Sequence, residues 1–269
     1  MSVPPASRLG VLGWPVAHSR SPAMHNAALG EAGLAGWRYQ LLPVPPHLLS
    51  ETVSALPAAG FRGVNVTIPH KEAAARLAHE TTSRARAIGA ANTLVFEDSE
   101  IRADNTDAPA LISELPLERG MTALVLGAGG SARAAVWALL DAGAGEVRVW
   151  NRTPERARAL CASLGAAPVR SPAPADVLVN CTVVGLRDRA ESLPELSLSE
   201  EELAGYGCVV DFVYADHETA LVRAARTRNI PVVDGLALLV AQGALSFEQF
   251  TGCEAPREVM RAAAHSVLQ

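Results

Sequence analysis

The segment TALVLGAGGSARAAVWALLDAG, residues 122–143, limits the possible folds more than any other part of this sequence. A β-rich run leads into a glycine turn and then an Ala-rich helical run. Gly127, Gly129 and Ala132 match the pattern G-x-G-x-x-G/A in the strand–turn–helix context that gives it meaning. The first glycine permits a tight turn, the second admits a pyrophosphate, and the small third residue lets helix and strand pack closely. We therefore predict a dinucleotide site, with a purely structural turn as the alternative. Its candidate contacts are Gly127, Ala128, Gly129, Gly130 and Ser131.

The next strand indicates which dinucleotide binds. An NAD site places an acid at the end of this strand, where it bonds the ribose 2′-hydroxyl. Here the strand EVRVW ends in Asn151, Arg152 and Thr153, with Arg156 on the following helical turn. No acid would repel a 2′-phosphate, and a guanidinium fork can hold one. We predict NADP(H); a solvated, arginine-rich helix start is the alternative.

Strands alternate with helices along most of the chain, which predicts an α/β fold with parallel sheets. One series of predicted strands lies before a linking helix at about residues 104–116, and a second series begins near residue 121. Two helical segments follow Gly235 without a further strand. We expect a substrate-binding domain from residues 1–105 and 237–269, with the last helices packed back on it. Residues 106–236 are expected to form a Rossmann-like, doubly wound NADP-binding domain.

Charge and composition exclude several classes of protein. The net charge of −5 provides no broad basic field for nucleic acid, and no stretch approaches the roughly 20 apolar residues of a membrane span. The N-terminal segment lacks the apolar run of a signal peptide. Four widely spaced cysteines suit reduced thiols rather than a disulfide framework. We expect a soluble, cytoplasmic protein that binds a small molecule and neither nucleic acid nor membrane, as a monomer or homodimer.

Two serines mark a candidate anion site in GWPVAHSRSPAMHN. Ser19 and Ser21 precede a helix in which Pro22 suits the first helical position. Two hydroxyls at a helix N-terminus can seat a carboxylate, whereas Ser21 by itself is also an ordinary N-cap. His18 and His25 have no third ligand at a metal-site spacing, so we predict no metal.

Lys71 in GVNVTIPHKEAAARL is the single lysine of a chain with 23 lysines and arginines together. It falls in the first turn of a helix predicted to begin at Pro69. A cation there opposes the helix macrodipole, at roughly 0.3–1 kcal/mol when exposed. Asn65 and Thr67 alternate with apolar residues, so their side chains share one face of the preceding strand. We predict a catalytic or substrate-binding lysine, with a surface lysine as the alternative.

Asp107 lies in the first turn of the predicted linking helix, which Thr106 could cap. An acid is favourable there for helix reasons alone. Its position at the junction of the two predicted domains also makes it a candidate for the active site.

Together these segments resemble the shikimate dehydrogenase family over nearly the whole chain. The similar motifs are, in order, GWPVAHSRSPAMHN, NVTIPHK, GAANTL, DNTD, GAGGSARA, NRTPER and DGLALLVAQGALSFEQFTG. The resemblance implies reversible, NADPH-dependent reduction of 3-dehydroshikimate to shikimate in chorismate and aromatic amino-acid biosynthesis.

The resemblance also implies roles for individual residues. Lys71 and Asp107 would form the catalytic pair, and Ser19 and Ser21 would hold the substrate carboxylate. Residues implied at the ring or its hydroxyls are Thr67, Asn92, Tyr214 and Gln242, to which the strand pattern adds Asn65. Residues implied around the adenosine 2′-phosphate are Asn151, Arg152, Thr153 and Arg156. Phe212 and Gly235 would lie near the nicotinamide.

Departures from the family pattern occur on the cofactor side, at Leu186, Asp216, Ala237 and Leu238. A quinate/shikimate or aminoshikimate-type dehydrogenase is one alternative function, although a quinate enzyme would often accept NAD. A non-catalytic NADP-binding module is another, against which Lys71 and Asp107 argue.

Overall fold

The computed structural model describes residues 7–97, 100–115, 118–186 and 192–266. The chain divides into two compact units. Met1–Thr106 and Leu239–Gln269 form the first, and Asp107–Leu238 form the second. The first unit is thus built from two separate stretches of chain.

The first unit contains a six-stranded sheet in the order β2-β1-β3-β5-β6-β4. Its strands are β1 (Arg8–Gly13), β2 (Arg38–Pro43), β3 (Phe61–Val66), β4 (Glu80–Thr81), β5 (Thr93–Glu97) and β6 (Glu100–Asp104). β5 runs antiparallel to both of its neighbours, while the other pairings are parallel. Apolar side chains such as Leu12, Val64 and Leu94 are fully buried, as expected for strands covered on both faces.

Helices cover this sheet. They are α1 (Ser21–Glu31), α2 (Leu49–Ala55), α3 (Lys71–Leu77), α4 (Ser83–Ile88) and, from the end of the chain, α10 (Arg257–Ser266). α10 packs along α1. Phe250, in α9 (Gly235–Thr251), lies against Gly63 of β3, where an added Cβ would come within 2.4 Å of the ring. The glycine therefore allows the last helices to pack closely on the first sheet.

The second unit contains a parallel sheet in the order β12-β11-β10-β7-β8-β9. Its strands are β7 (Thr122–Leu126), β8 (Glu146–Trp150), β9 (Ala167–Pro168), β10 (Ala175–Asn180), β11 (Tyr206–Asp211) and β12 (Val232–Val233). Its helices are α5 (Asp107–Glu114), α6 (Gly130–Asp141), α7 (Pro154–Leu164) and α8 (Ala220–Thr227). The order changes direction between β7 and β10, and this switch point is where doubly wound sheets bind ligands. The predicted α/β fold is confirmed.

Three sequence-based predictions of local structure were wrong. The linking helix begins at Asp107 and not near Asp104, because Asp104 ends β6, a strand that the sequence analysis missed. The helix after β3 begins at Lys71 and not at Pro69. Ser21 is the first residue of α1 rather than its N-cap; Arg20 occupies the cap position without a side-chain capping bond.

No helix in the described ranges is long and apolar enough to cross a membrane. The four cysteines are free: Cys161 and Cys208 are buried, and Cys181 and Cys253 are partly buried. Burial raises the pKa of Cys161 to about 11, so this thiol stays protonated at neutral pH.

Candidate active site

Most predicted substrate residues collect at one edge of the first sheet. β1 and β3 are parallel, so their carboxyl ends share this edge. β5 is antiparallel to β3 and to β6, which brings the start of β5 and the end of β6 to the same place. Residues before or after these strand ends can therefore approach one another although they are distant in the chain.

The two serines lie side by side after β1. Ser19 Oγ is 3.2 Å from Ser21 Oγ and also accepts a hydrogen bond from the Ser21 amide at 3.3 Å. Ser21 is buried and Ser19 half-buried. Arg20, between them, is buried and donates from Nη1 to the Ala264 carbonyl of α10 at 3.2 Å. The seat formed by the two hydroxyls is thus fastened to the last helix of the unit.

Lys71 is the first residue of α3 and is half-buried. Its carbonyl accepts a hydrogen bond from the Ala91 amide at 2.8 Å, which ties α3 to the segment leading into β5. The buried ring of His70 bonds the Val44 carbonyl through Nε2 at 2.7 Å. Burial lowers the pKa of His70 and outweighs the opposing effect of this bond, so the ring is neutral at pH 7. These contacts fix the backbone that carries the ammonium.

Thr67, half-buried, lies between the end of β3 and Lys71. Its amide donates to the Leu12 carbonyl at 2.8 Å, and its carbonyl accepts from the His70 amide at 2.9 Å. A Cβ added at Gly13 would come within 2.5 Å of Thr67 Cγ2. The glycine that ends β1 therefore leaves the space in which Thr67 sits.

Asn92 links three segments of the first unit. Its Nδ2 donates to Thr106 Oγ1 at 2.9 Å and to Gln242 Oε1 at 3.2 Å. Its Oδ1 accepts from the Thr106 amide at 2.7 Å and from Thr93 Oγ1 at 3.1 Å. The structure thus brings the predicted substrate residues Asn92 and Gln242 into contact. By bonding the amide and the side chain of Thr106, Asn92 also fixes the residue immediately before Asp107. Asp107 is buried at the start of α5 in the second unit.

Asn65 is buried within β3, where four protein groups use its amide. Oδ1 accepts from the Tyr39 hydroxyl at 2.8 Å and from Ser246 Oγ at 3.3 Å. Nδ2 donates to the Asn92 carbonyl at 3.2 Å and to Thr93 Oγ1 at 3.3 Å. These bonds hold the Asn65 carboxamide in one orientation within the network.

Four members of this network were not predicted from the sequence: Tyr39, Thr93, Ser246 and Thr106 as a side-chain partner. Their signal in the sequence is weak, because a lone hydroxyl in an apolar run is common. His25 lies against Tyr39, with ring centroids 4.2 Å apart and planes within 3°. Full burial lowers the pKa of His25 to about 3. The neutral ring is therefore a packing surface for Tyr39.

The glycine turn of the second unit follows β7 and precedes α6. Gly127 has a φ of +111°, and a Cβ there would come within 3.0 Å of the Cys181 carbonyl oxygen, so glycine is required by the protein itself. A Cβ at Gly129 would meet no atom within 4 Å among the described residues. Nothing in the surrounding protein requires glycine at residue 129, and the open space suits the close approach of a phosphate to the helix N-terminus. Ala128, Gly130 and Ser131 line the same turn and are partly exposed.

The segment after β8 presents its arginines to solvent. Asn151 Nδ2 donates to the Thr153 carbonyl at 2.9 Å, and Thr153 occupies the N-cap position of α7. Arg152 and Arg156 are exposed, and neither has an ion-pair partner within the described ranges. Both guanidinium groups are therefore available to a phosphate.

Phe212, Tyr214 and Gly235 lie near the carboxyl end of β11. The Phe212 amide donates to the Asn180 carbonyl at 2.9 Å, which continues the sheet pairing past the strand end. A Cβ at Gly235 would come within 2.3 Å of the Val213 carbonyl oxygen. Glycine at residue 235 therefore lets the start of α9 lie close to the segment that carries Phe212 and Tyr214.

Comparisons with known proteins agree with this architecture. Family profiles match in three places: the shikimate dehydrogenase substrate-binding domain at residues 11–94, shikimate/quinate 5-dehydrogenase at residues 113–181, and the shikimate 5′-dehydrogenase C-terminal domain at residues 235–265. The NADP(+) shikimate dehydrogenase of Methylobacterium radiotolerans is 46% identical, with 91% of each chain covered. That of Methanothermobacter thermautotrophicus is 39% identical, with 96% of each covered.

Solved structures give the same result. Shikimate 5-dehydrogenase of Thermus thermophilus, solved in complex with NADP(H) and shikimate, superimposes with a TM-score of 0.87 at 41% identity. The match covers 97% of this chain and 99% of that one. Shikimate dehydrogenase of Mycobacterium tuberculosis gives a TM-score of 0.80 at 34% identity, covering 97% and 99%.

Proposed function

We propose that this chain, which belongs to the shikimate dehydrogenase family, catalyses the reversible, NADPH-dependent reduction of 3-dehydroshikimate to shikimate. The observation that carries the proposal is the full-length likeness to a 41% identical dehydrogenase solved with NADP(H) and shikimate. The reaction belongs to chorismate and aromatic amino-acid biosynthesis. We infer a cytoplasmic enzyme, monomeric or homodimeric, whose partners are these small molecules.

Residues 1–105 and 237–269 bind the substrate in this proposal. The hydroxyls of Ser19 and Ser21, 3.2 Å apart, bind the substrate carboxylate by donating hydrogen bonds to it. Further substrate contacts are assigned to Asn65, Thr67, Asn92, Tyr214 and Gln242. The contact between Asn92 and Gln242 supports a shared role at the ring hydroxyls.

Lys71 interacts with the negative charge that develops on the ketone oxygen of the substrate. As an ammonium it stabilises the oxyanion that forms on the ketone oxygen, and it can supply the proton. Asp107 orients the substrate hydroxyl and the ammonium. Its buried position at the start of α5 supports this role, because the network of Asn92 and Thr106 fixes the residue just before it.

Residues 106–236 bind NADP(H). When bound, NADPH supplies the hydride for the ketone carbon. The glycine turn and the amides of α6 hold the pyrophosphate, with open space at Gly129 for its approach. Asn151, Arg152, Thr153 and Arg156 hold the 2′-phosphate, which the exposed guanidinium groups support. Phe212 and Gly235 flank the nicotinamide end.

A spectrophotometric assay tests the proposal. Shikimate and quinate are each combined with NADP and with NAD, which gives four activities. We expect the shikimate–NADP pair to exceed the other three clearly. Comparable turnover of quinate would favour a quinate/shikimate dehydrogenase, and no turnover of any pair with intact NADP binding would favour a non-catalytic module.

A further inference from the structure

A buried carboxylate that the proposed chemistry does not use lies at the end of β11. Asp211 has no exposed surface, and its oxygens accept three hydrogen bonds. Oδ1 accepts from Asn180 Nδ2 at 2.9 Å and from the Val213 amide at 3.0 Å. Oδ2 accepts from Thr219 Oγ1 at 2.7 Å. A fully buried acid with several partners needs an account, since burial of a carboxylate is costly.

These bonds extend into the loop after β10. Asn180, which donates to Asp211, accepts in turn from the Thr182 amide at 3.0 Å and the Thr182 hydroxyl at 2.8 Å. The Val184 amide then donates to the same hydroxyl at 3.2 Å. At Cys181 this loop touches the glycine turn, because its carbonyl limits the space at Gly127.

The same carboxylate fixes the loop after β11. Thr219 caps α8 by accepting from the Val222 amide at 3.2 Å while it donates to Asp211. Val213, whose amide bonds Asp211, presses its carbonyl against Gly235. One side chain therefore fastens both ends of the segment 212–219, which contains Tyr214.

We propose that Asp211 is a positioning residue, whose carboxylate holds the loops after β10 and β11 in the conformation that presents Phe212 to the nicotinamide end of the cofactor and Tyr214 to the substrate. The cofactor part of this inference rests on the function proposed above. The positioning part concerns the chain itself and can be tested without any ligand.

The charge state of Asp211 provides a distinguishing readout. Burial raises the pKa of Asp211 to about 6 against its hydrogen bonds, and the charge of Asp234 adds to the rise. Asp234 is itself paired with Arg226 at 3.1 Å. Because the folded protein holds the proton more tightly than the unfolded chain, the contribution of this group to stability falls as pH rises from about 4 to 6. Asparagine at this position has no charge. Its oxygen can still accept from Asn180 and from the Val213 amide, while its amide nitrogen donates to the Thr219 hydroxyl, which then accepts instead of donating.

Hydrogen–deuterium exchange of the ligand-free protein tests the positioning. In Asp211→Ala we expect faster exchange in residues 181–185 and 212–219, with β7 and β8 unchanged. In Asp211→Asn we expect the same protection from exchange as in the wild type. We also expect its melting temperature to fall less than that of the wild type between pH 4 and 6, because asparagine does not titrate. Asp176→Ala is the matched control. Like Asp211, Asp176 accepts hydrogen bonds from an amide and a hydroxyl, here both from Thr122, but it lies at the amino end of β10.

Calorimetric binding of two ligands tests the cofactor part. Adenosine 2′,5′-bisphosphate carries the 2′-phosphate but lacks the nicotinamide, whereas NADPH has both. Asp211→Ala should weaken NADPH about tenfold or more, because loosened loops must be ordered again when the cofactor binds, and leave the bisphosphate unchanged. Asp211→Asn and Asp176→Ala should bind both ligands as the wild type does.

The outcomes separate the two claims. If both loops of Asp211→Ala are as protected as in the wild type, Asp211 does not position them. If Asp211→Asn exchanges as fast as Asp211→Ala, hydrogen bonding without the charge does not hold the loops. Equal weakening of NADPH and the bisphosphate would refute the nicotinamide-end assignment. If the wild type binds neither ligand, the proposed function is wrong, and the exchange data still decide whether Asp211 positions the loops.

Discussion

Replacement of Asn92 by alanine tests the network that joins the start of β5, the end of the β6 segment and helix α9. The change removes an amide that is 2% exposed and is hydrogen-bonded to Thr93, Thr106 and Gln242. The most serious loss is the acceptor for the Thr106 amide, because Thr106 is fully buried and its amide has no access to bulk water.

The magnitude follows from these partners. A buried donor left unsatisfied costs about 1–3 kcal/mol. The two hydroxyls can rotate to other acceptors and Gln242 is half-buried, so their lost bonds add about 1 kcal/mol together. We expect Asn92→Ala to lower the free energy of unfolding by about 2–4 kcal/mol, a large share of the 5–15 kcal/mol of an ordinary protein.

Equilibrium urea unfolding measures this loss, with Gln242→Ala as the matched control. The control removes the most accessible partner and leaves the Thr106 amide satisfied, so it should cost less than about 1 kcal/mol. It should nevertheless lower shikimate turnover if Gln242 contacts the substrate. A midpoint for Asn92→Ala equal to that of the control would refute the argument that the Thr106 amide dominates.

Four further outcomes are expected. Lys71→Arg should lose roughly 10²–10⁴ in kcat with NADP affinity and melting temperature kept, because a guanidinium stays protonated and is wider than an ammonium. Arg152→Ala should weaken NADP binding by about 1.5–3 kcal/mol, the value of a charge-assisted bond, and leave NAD use unchanged. The double change Ser19→Ala and Ser21→Ala should raise the KM for shikimate in a protein that still folds and binds NADP. For Asp104, burial opposes ionisation, but hydrogen bonds and a neighbouring guanidinium outweigh it and lower the pKa. Its stabilising effect is therefore present above the ordinary pKa and lost as pH falls through the lowered one, so Asp104→Asn should reduce stability at pH 7 more than at pH 3 in denaturant titrations.

Each of these measurements can contradict its premise. A Lys71→Arg enzyme within a few-fold of wild type would make the lysine a bystander. Equal losses of NADP and NAD in Arg152→Ala would show that this side chain does not bind the phosphate. An unchanged KM in the double serine variant would show that the substrate carboxylate binds elsewhere. A pH-independent effect of Asp104→Asn would show that the charge of Asp104 does not stabilise the fold.

The local motifs of this protein could be predicted from sequence because short-range sterics determine them. The turn after β7 needs a residue that tolerates the φ of Gly127, and small residues beside it let helix and strand pack. Lys71 could be identified because a single lysine in an arginine-rich chain occupies an unfavourable position on its helix. Apolar runs such as β7 and β10 predicted buried parallel strands for the same local reason.

Tertiary structure decided which polar groups meet. β6 was missed because its segment EIRAD carries three charged residues. It is a strand because β5 pairs with it along one side and because partners from α4 and α9 satisfy its buried Asp104. Asn92 and Gln242 are 150 residues apart in the chain and bond one another. Asp211 gains its role from the arrival of Asn180 and Thr219. A hydrogen-bond partner supplied by a distant segment leaves no periodic or local pattern in the sequence. Such networks form only when the sheets assemble and bury these polar groups together.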